Sequence, residues 1–560
     1  MAKPWPDHIE YPEIPAYEML RDSAKQYPEQ TALSFMGKVI TYRELDELTD
    51  KFATVLAEFG VKKGDRVAIF MLNVPQYVIA YYGALKAGTT VVLCNPLYKE
   101  PELEFQLTDS GSNTIILLNL SDPPLYTIFN KIRTKTPVKN VIVTDIASVL
   151  PTAKRILGSL LGKIPKGPAL KPGDHDFYDL IRKTDARPPE ITIDPKEDVA
   201  AIQYSGGTTG VPKGAMLTHF NLVTNCLQSE QLGIHSAIGA RRGEEKFLTA
   251  LPLYHSYGMT TCMNCAILMG GEIILIPNPR DIPSILKAIE KRKPTFFNGI
   301  PAQYVAVANH PDAGKYDLSS LKFCVSGSAP LPDAVCTAFE QATGAITVVC
   351  EGYGLTEASP VTHANPLNRE IRKIGTIGFS LPDTECRIVD VETGTKEMPL
   401  GEPGELIIKG PQIMKGYWNN PTETATTLRD GWLHTGDIAT VDEDGYYAIV
   451  DRKKDMIICS GFNVYPVEVE SILYEHPKIK EAAVIGIPDE KRGETVKAFI
   501  TLKEGETATE EEIIQWAKEH MAAYKYPRII EFRDELPKTT VGKVLRKELK
   551  AEEEQKRKDM

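Results

Sequence analysis

In its first half the chain alternates short apolar runs with stretches of helical periodicity, and this alternation restricts the fold more than any other feature. Arg66–Phe70 reads as a short buried strand. Residues 75–87 read as a helix, with Tyr77, Val78, Tyr81 and Tyr82 at helical spacing, and 90–94 (TVVLC) as the next strand. Thr114–Leu118 and residues 141–144 repeat the theme, and a second run covers 246–293. There 249–251 leads into a loop, 260–269 looks helical, 272–277 (EIILIP) is a strand and Ile282–Arg292 a helix. Such alternation predicts an α/β fold with helices layered on parallel sheets. Beyond Gly375 the texture changes to short strands between Gly-rich turns (CRIVD, GELIIKG, YYAIVD), which predicts a small β-rich subdomain. From Arg452 onward an α+β unit is expected, with helices at 467–474 and 510–521 and the strands AAVIGI and VKAFITL; the tail AEEEQKRKDM is expected to fray. With 560 residues the chain exceeds the ~250–300 residues that one core sustains. The expected division is a large N-terminal domain, 1–451, and a small mobile C-terminal domain, 452–560.

Composition narrows the function classes. An apolar fraction of 42% and a charged fraction of 25% are ordinary for a globular chain and exclude bulk disorder. A net charge of −11 argues against a globally basic nucleic-acid binder. No apolar run approaches the ~18 residues of a spanning helix. The start, MAKPWPDHIEYPEI, has no apolar core, so no secretory signal is expected. Nine cysteines fit reduced thiols in a cytosol, and the single C-x-x-C at Cys262 and Cys265 has no second pair to complete a metal site. One stretch, 150–171, carries five Lys/Arg (Lys154, Arg155, Lys163, Lys166, Lys171) and no acid, with Ile156, Leu157, Leu160, Leu161 and Ile164 at helical spacing. It reads either as a surface helix packed on its domain or as an interfacial helix on an anionic bilayer.

Five motifs carry chemistry. The first, YSGGTTGVPKG, runs from Tyr204 to Gly214 and places Ser205, Gly206, Gly207, Thr208, Thr209 and Gly210 ahead of Lys213. Glycines allow close backbone approach, and the N–H and hydroxyl groups suit phosphate oxygens. It is not a Walker A loop, because Lys213 follows Pro212 and precedes no Ser/Thr. The second, Glu351-Gly352-Tyr353-Gly354-Leu355-Thr356-Glu357, offers a flat ring between glycines, then a hydroxyl and a hard carboxylate suited to Mg²⁺. The third, WLHTGD, ends at Asp437, an acid able to accept bonds from ribose hydroxyls. The fourth is DRKKDMI with CSGFNVYP after it, from Asp451, and the fifth is PKTTVGKV around Lys543.

Taken together and in this order, the motifs resemble the signature set of the adenylate-forming superfamily of acyl-CoA synthetases, luciferases and adenylation domains. The resemblance runs from Tyr42 to Lys543 and is strongest to long-chain fatty acid–CoA ligases, through VDRKKDMIICSGFNVYPVEVE, SGSAPLP and EGYGLTEASPVTHANP. It implies that the Ser205–Lys213 loop holds the ATP triphosphate, and that Tyr353 stacks on adenine with Ser326, Gly327 and Ser328 as the other wall. It implies that Glu357 binds Mg²⁺ with Ser205, where the family often has Thr. Asp437, assisted by Arg452, would bind the ribose. Lys454 matches the hinge, and Lys543 the lysine that bridges carboxylate and α-phosphate. His255 matches a position at the mouth of the acyl pocket. Tyr257, Met259 and Gly299 fall around that pocket, with Met259 nearest to the tryptophan gate common in the family. Small residues such as Gly299 and Gly327 are expected to leave room for a tail. Ser460 and Gly461 would face the pantetheine of coenzyme A after the C-terminal domain rotates.

The function implied is an ATP-dependent acid–thiol ligase for a fatty acid, using Mg²⁺ and coenzyme A. It would be cytoplasmic, with peripheral contact to the inner face of an anionic membrane, a homodimer, and without a nucleic-acid partner. The alternatives are an aryl- or medium-chain acid–CoA ligase, an adenylation domain serving a carrier protein, and a catalytically silent lipid-binding protein on the same fold.

Overall fold

The computed structural model describes residues 3–160, 167–205, 212–344, 348–453, 455–459, 462–489, 492–538 and 544–559. Contacts divide the chain into two units: Met1–Glu385 with Lys409–Gly431, and Cys386–Ile408 with Trp432–Met560. The β-rich strands after Gly375 are thus shared between the units, and the strands from Trp432 group with the C-terminal residues.

The first unit holds two large sheets. One has eight strands in the order Gly416–Tyr417, Lys213–Thr218, Val199–Ser205, Thr90–Leu93, Arg66–Phe70, Thr114–Leu118, Asn140–Thr144 and His175–Asp176. Its central strands are parallel and almost wholly apolar, as sheets covered on both faces require. The helix Pro75–Lys86 is buried along its full length, so it reads as apolar all round rather than on one face. Lys86 in that helix is ion-paired with Asp46 and Asp50, at 2.6 Å each.

The second sheet has nine strands, from Phe379–Ser380 to Lys38–Thr41. Three of its parallel strands, Phe296–Gly299, Phe323–Ser326 and Val348–Gly354, align Gly299, Ser326 and Glu351 in one row at their carboxyl ends. In open α/β sheets ligands bind beyond those ends. Phe297, Tyr304 and Phe339 form a buried aromatic trio beneath the row, with centroids 4.8–6.1 Å apart. Truncating Phe339 to Ala would cost about 3–5 kcal/mol.

The 260–269 helix is in fact a π-wound segment, Gly258–Asn264, followed by a short α-helical turn, Cys265–Leu268. Cys262 and Cys265 are free, buried thiols, the first pushed upward by burial and the second by its hydrogen bond with Cys226 and then by burial, so they pack as small apolar groups.

The second unit contains a sheet of Phe462–Val464, Ile457–Cys459, Gly493–Leu502 and Ile479–Asp489, with Ile529–Phe532 against Gly493–Leu502. Its helices Pro466–Tyr474 and Glu510–His520 match the expected elements to within a residue. The tail does not fray. Residues Arg546–Asp559 form a helix held by buried Leu549 and by ion pairs from Arg533 to Glu552 (2.5 Å) and from Lys497 to Glu553 (2.8 Å). The alternating charges that read as a solvated tail are instead partners for the sheet. Arg546 anchors the helix start against Glu470 at 2.5 Å, with Asp451 and Asp455 within 3.6 Å. Burial lifts the Glu470 carboxyl to about 7, while the Arg546 charge opposes the shift.

Of the stretch 150–171, Thr152–Leu160 is helical and Ile156 is 55% exposed. Leu161, Lys163, Ile164 and Lys166 lie outside the described residues. Among the described residues no helix is long and apolar enough to cross a membrane.

Candidate functional site

The segment expected to hold phosphates joins two paired strands. Val199–Ser205 and Lys213–Thr218 pair antiparallel with Ser205 opposite Lys213, so the two ends of the loop meet. Gly206, Gly207, Thr208, Thr209 and Gly210 lie outside the described residues. Thr218 starts the following helix, His219–Ile234, with a capping box to Asn221, which fixes where the strand stops.

The structure brings Glu357 to this hairpin. The turn Thr356–Ala358 follows the strand Val348–Gly354, and Glu357 Oε1 accepts a bond from Ser205 Oγ at 3.2 Å. Two residues absent from the sequence reading join them. Tyr417 donates its hydroxyl to Glu357 Oε1 at 2.8 Å, and Glu423 is ion-paired with Lys213. Their segment, GYWNNPTETA, offered a readable local signal: Asn420 and Pro421 mark a helix start, with Glu423 in its first turn. Nothing in the sequence says that this turn packs on the hairpin that carries Ser205 and Lys213.

Tyr353 sits between two glycines for a steric reason. A Cβ at Gly354 would lie 2.1 Å from the Pro360 carbonyl oxygen, and one at Gly352 would lie 2.9 Å from Val325. The Tyr353 ring meets His363 edge-on at 5.9 Å. Next to it, Glu351 accepts a bond from the Leu331 amide at 3.2 Å, yet burial dominates and lifts its carboxyl to about 8. At neutral pH it is mostly the uncharged acid. Ser326 Oγ, in the same row, is buried without a hydrogen-bond partner among the described residues.

The residues expected to line an acyl pocket are closely packed. A Cβ on Gly327 would meet the Tyr257 ring at 3.0 Å, and one on Gly299 would meet Gln303 at 3.1 Å and Tyr304 at 3.3 Å. The space over both glycines is therefore filled by side chains. The Tyr257 hydroxyl is tied to the Val325 carbonyl at 2.7 Å. Met259 is fully buried, and half-buried His255 is held neutral, its pKa lowered to about 4 by burial.

In the second unit, Asp437 and Arg452 face each other across the paired strands Trp432–Val441 and Tyr447–Arg452, with Arg452 Nε 3.5 Å from Asp437 Oδ1. Lys454, Ser460, Gly461 and Lys543 lie outside the described residues. Lys538 and Val544, on either side of the Lys543 loop, form an antiparallel bridge.

For Mg²⁺ the donor set fits. Glu357 and Ser205 supply hard oxygens, and the bonds to Glu357 from Ser205 and Tyr417 use Oε1 and leave Oε2 outside both. No cluster of three or more His, Cys, Asp or Glu able to hold a metal occurs among the described residues. A lone carboxylate suits an ion that keeps waters and is shared with substrate phosphates.

A phosphate-type hairpin, a carboxylate beside it and a row of strand ends on layered α/β sheets define a nucleotide-using α/β protein. The chain belongs to the AMP-binding enzyme family: that family's model matches residues 20–418, and the model of the AMP-binding enzyme C-terminal domain matches 468–543. It is 46% identical to a long-chain-fatty-acid–CoA ligase of Bacillus subtilis (strain 168), over 98% of each chain. It is 41% identical to the ligase of that name from Escherichia coli O6:H1, over 96% of this chain and 94% of the other. Among solved structures, an anthranilate CoA ligase in complex with anthranoyl-AMP superposes with a TM-score of 0.82 at 30% identity, over 97% of this chain and 98% of that one.

Proposed function

We propose that this chain is an ATP-dependent long-chain fatty acid–CoA ligase, which converts a fatty acid to its acyl-adenylate with release of pyrophosphate and then to acyl-CoA. The observation that carries the reading is the oxygen-rich cradle at the mouth of the hairpin, where Ser205 and Glu357 meet beside Lys213. The names of the two bacterial relatives, similar along nearly their whole length, support the fatty acid as substrate.

The chemistry follows from charge. A free carboxylate is a poor electrophile, because its leaving group would be oxide. Attack of the carboxylate oxygen on the α-phosphorus forms the acyl–O–P bond, breaks the bond to the bridging oxygen and releases pyrophosphate. Two anions have to meet, so this chain supplies cations: Lys213 holds phosphate oxygens, and Lys543 bridges carboxylate and α-phosphate. Glu357 and Ser205 would hold Mg²⁺, which would neutralise phosphate charge when bound. Tyr353 stacks on the base, and Asp437 with Arg452 binds the ribose. Positioning does most of the catalysis, and no protein nucleophile is needed. The CoA thiol then attacks the acyl carbon and AMP leaves. The boundary between 451 and 452 acts as the functional one, with Lys454 as hinge and Ser460 and Gly461 facing the pantetheine.

Contact with the inner face of a membrane belongs to the same reading. Lys154 Nζ donates to the Met36 carbonyl at 2.8 Å, which sets the helix Thr152–Leu160 against a hairpin tip. Met36, Val39 and Ile156 are exposed there among Lys38, Lys154 and Arg155. A homodimer, which the family resemblance implies, is checked by light scattering.

The anthranilate ligase favours a second reading, an aromatic acid as substrate. Pyrophosphate release with ATP and CoA, measured across straight-chain acids from acetate to octadecanoate and across anthranilate, decides between them. The proposal expects activity to rise toward the long acids; preference for anthranilate sinks it.

A further inference from the structure

The segment that carries Tyr417 and Glu423 is stitched to both halves of the cradle. Gly416–Tyr417 pairs antiparallel with the strand leaving the phosphate loop, Tyr417 opposite Ala215 and Gly416 opposite Met216. The Trp418 amide donates to the Gly214 carbonyl at 2.7 Å, and the Met414 amide to the Glu357 carbonyl at 2.8 Å. Thr424 closes the turn: its hydroxyl accepts from the Tyr417 amide at 2.9 Å and donates to the Asn420 carbonyl at 2.8 Å. Asn420 Oδ1 accepts the Glu423 amide at 3.1 Å, which fixes the first turn of the helix that carries Glu423.

From this base two side chains reach the two charged groups of the cradle. Tyr417 donates to Glu357 Oε1, the oxygen that also accepts from Ser205. Two donors on one oxygen set the plane of the carboxylate, so the direction of Oε2 is fixed by protein groups before any ligand arrives. Glu423 takes one donor of the Lys213 ammonium, whose nitrogen lies 5.6 Å from the centre of the Tyr417 ring. An ammonium has three donors, so two remain for phosphate oxygens. The Lys213 side chain is only 9% exposed, which makes its partner decisive for where it points.

We propose that Tyr417 and Glu423 are the positioning residues of the triphosphate site: Tyr417 orients Glu357 toward the magnesium ion, and Glu423 orients Lys213 toward the phosphates. The proposal rests on the ligase reading and adds to it two residues and a division of labour. The roles differ in one measurable respect. Loss of the Tyr417 hydroxyl matters only when the metal is present. Loss of the Glu423 acceptor matters with or without it, because Lys213 acts on phosphate charge directly.

The test is calorimetric binding of a non-hydrolysable ATP analogue to the full chain, with Mg²⁺ and in its absence, alongside melting midpoints and acid-dependent pyrophosphate release. Tyr417→Phe is expected to weaken binding about ten-fold with Mg²⁺, the worth of one hydrogen bond to a charged group, and less than about two-fold without it. Glu423→Ala is expected to weaken it by a similar factor in both conditions. Glu423→Gln, which keeps an acceptor for the ammonium, should bind at least as tightly as the parent. Equal losses with and without Mg²⁺ for Tyr417→Phe, or a fall that follows a lowered melting midpoint, would reduce both residues to structural support and overturn the proposal. So would parent-like binding in Tyr417→Phe and Glu423→Ala. A parent that shows no acid-dependent pyrophosphate release overturns the ligase reading itself; an active parent with unaffected variants overturns only this inference.

Discussion

Replacing Glu351 with Gln should make the protein more stable at alkaline pH and leave it almost unchanged at acid pH. Glu351 is a carboxyl at the end of a parallel strand, and burial raises it from 4.5 to about 8 against the opposing bond from the Leu331 amide. The native state therefore binds a proton that the unfolded chain has released across that interval. Stability falls as pH rises from 4.5 through about 8, and the loss is complete above it. At about 1.4 kcal/mol for each pH unit, the span from 4.5 to about 8 amounts to at most ~5 kcal/mol. The first unit, Met1–Glu385 with Lys409–Gly431, unfolds with roughly 0.9 kcal/mol/K of entropy, so this corresponds to about 6 °C in its melting midpoint. Gln has the shape of the neutral acid and cannot ionise. The assay is the difference in melting midpoint between variant and parent, read from about pH 4.5 to about pH 9, the interval in which the burial shift acts. It should be near zero at the acid end and climb to about 6 °C in favour of Gln at the alkaline end. A difference that is flat with pH, or that favours the parent as pH rises, would refute the reasoning.

Arg546→Ala removes the arginine that faces Glu470 and Asp451, while Asp455 keeps Lys550 at 3.6 Å, so the second unit should lose about 3–5 kcal/mol in chemical unfolding. Asp437→Ala should raise KM for ATP much more than KM for the acid; a rise shared equally by the two would remove Asp437 from the ribose site. Replacing Lys154, Arg155, Lys163, Lys166 and Lys171 with Gln should reduce co-sedimentation with anionic vesicles at low salt, and unchanged binding would return the 150–171 stretch to a plain surface helix.

The alternation of apolar runs and helical stretches gave the layered sheets because each short run is buried on both faces, as Arg66–Phe70 and Thr114–Leu118 are. The motifs gave the groups brought together at the hairpin, since Ser205 and Lys213 are paired on adjacent antiparallel strands. Three things were not legible. The C-terminal charges looked like a solvated tail because their partners Lys497 and Glu531 lie in distant strands. Tyr417 and Glu423 were missed because their contacts with Glu357 and Lys213 span 60 and 210 residues. The room expected over Gly299 and Gly327 depended on where Tyr257 and Tyr304 point, which local sequence does not encode.

The central claim is that the carboxylate itself attacks ATP at the α-phosphorus, and following its oxygen tests this most directly. Palmitate labelled with heavy oxygen in both carboxylate positions is incubated with ATP, Mg²⁺ and CoA, and the products are read by mass spectrometry. The account predicts one labelled oxygen in AMP, the other in the thioester carbonyl, and none in pyrophosphate. Label in inorganic phosphate with ADP as product would mean attack at the terminal phosphate, and AMP without label would mean that no acyl-adenylate forms; either result contradicts the account.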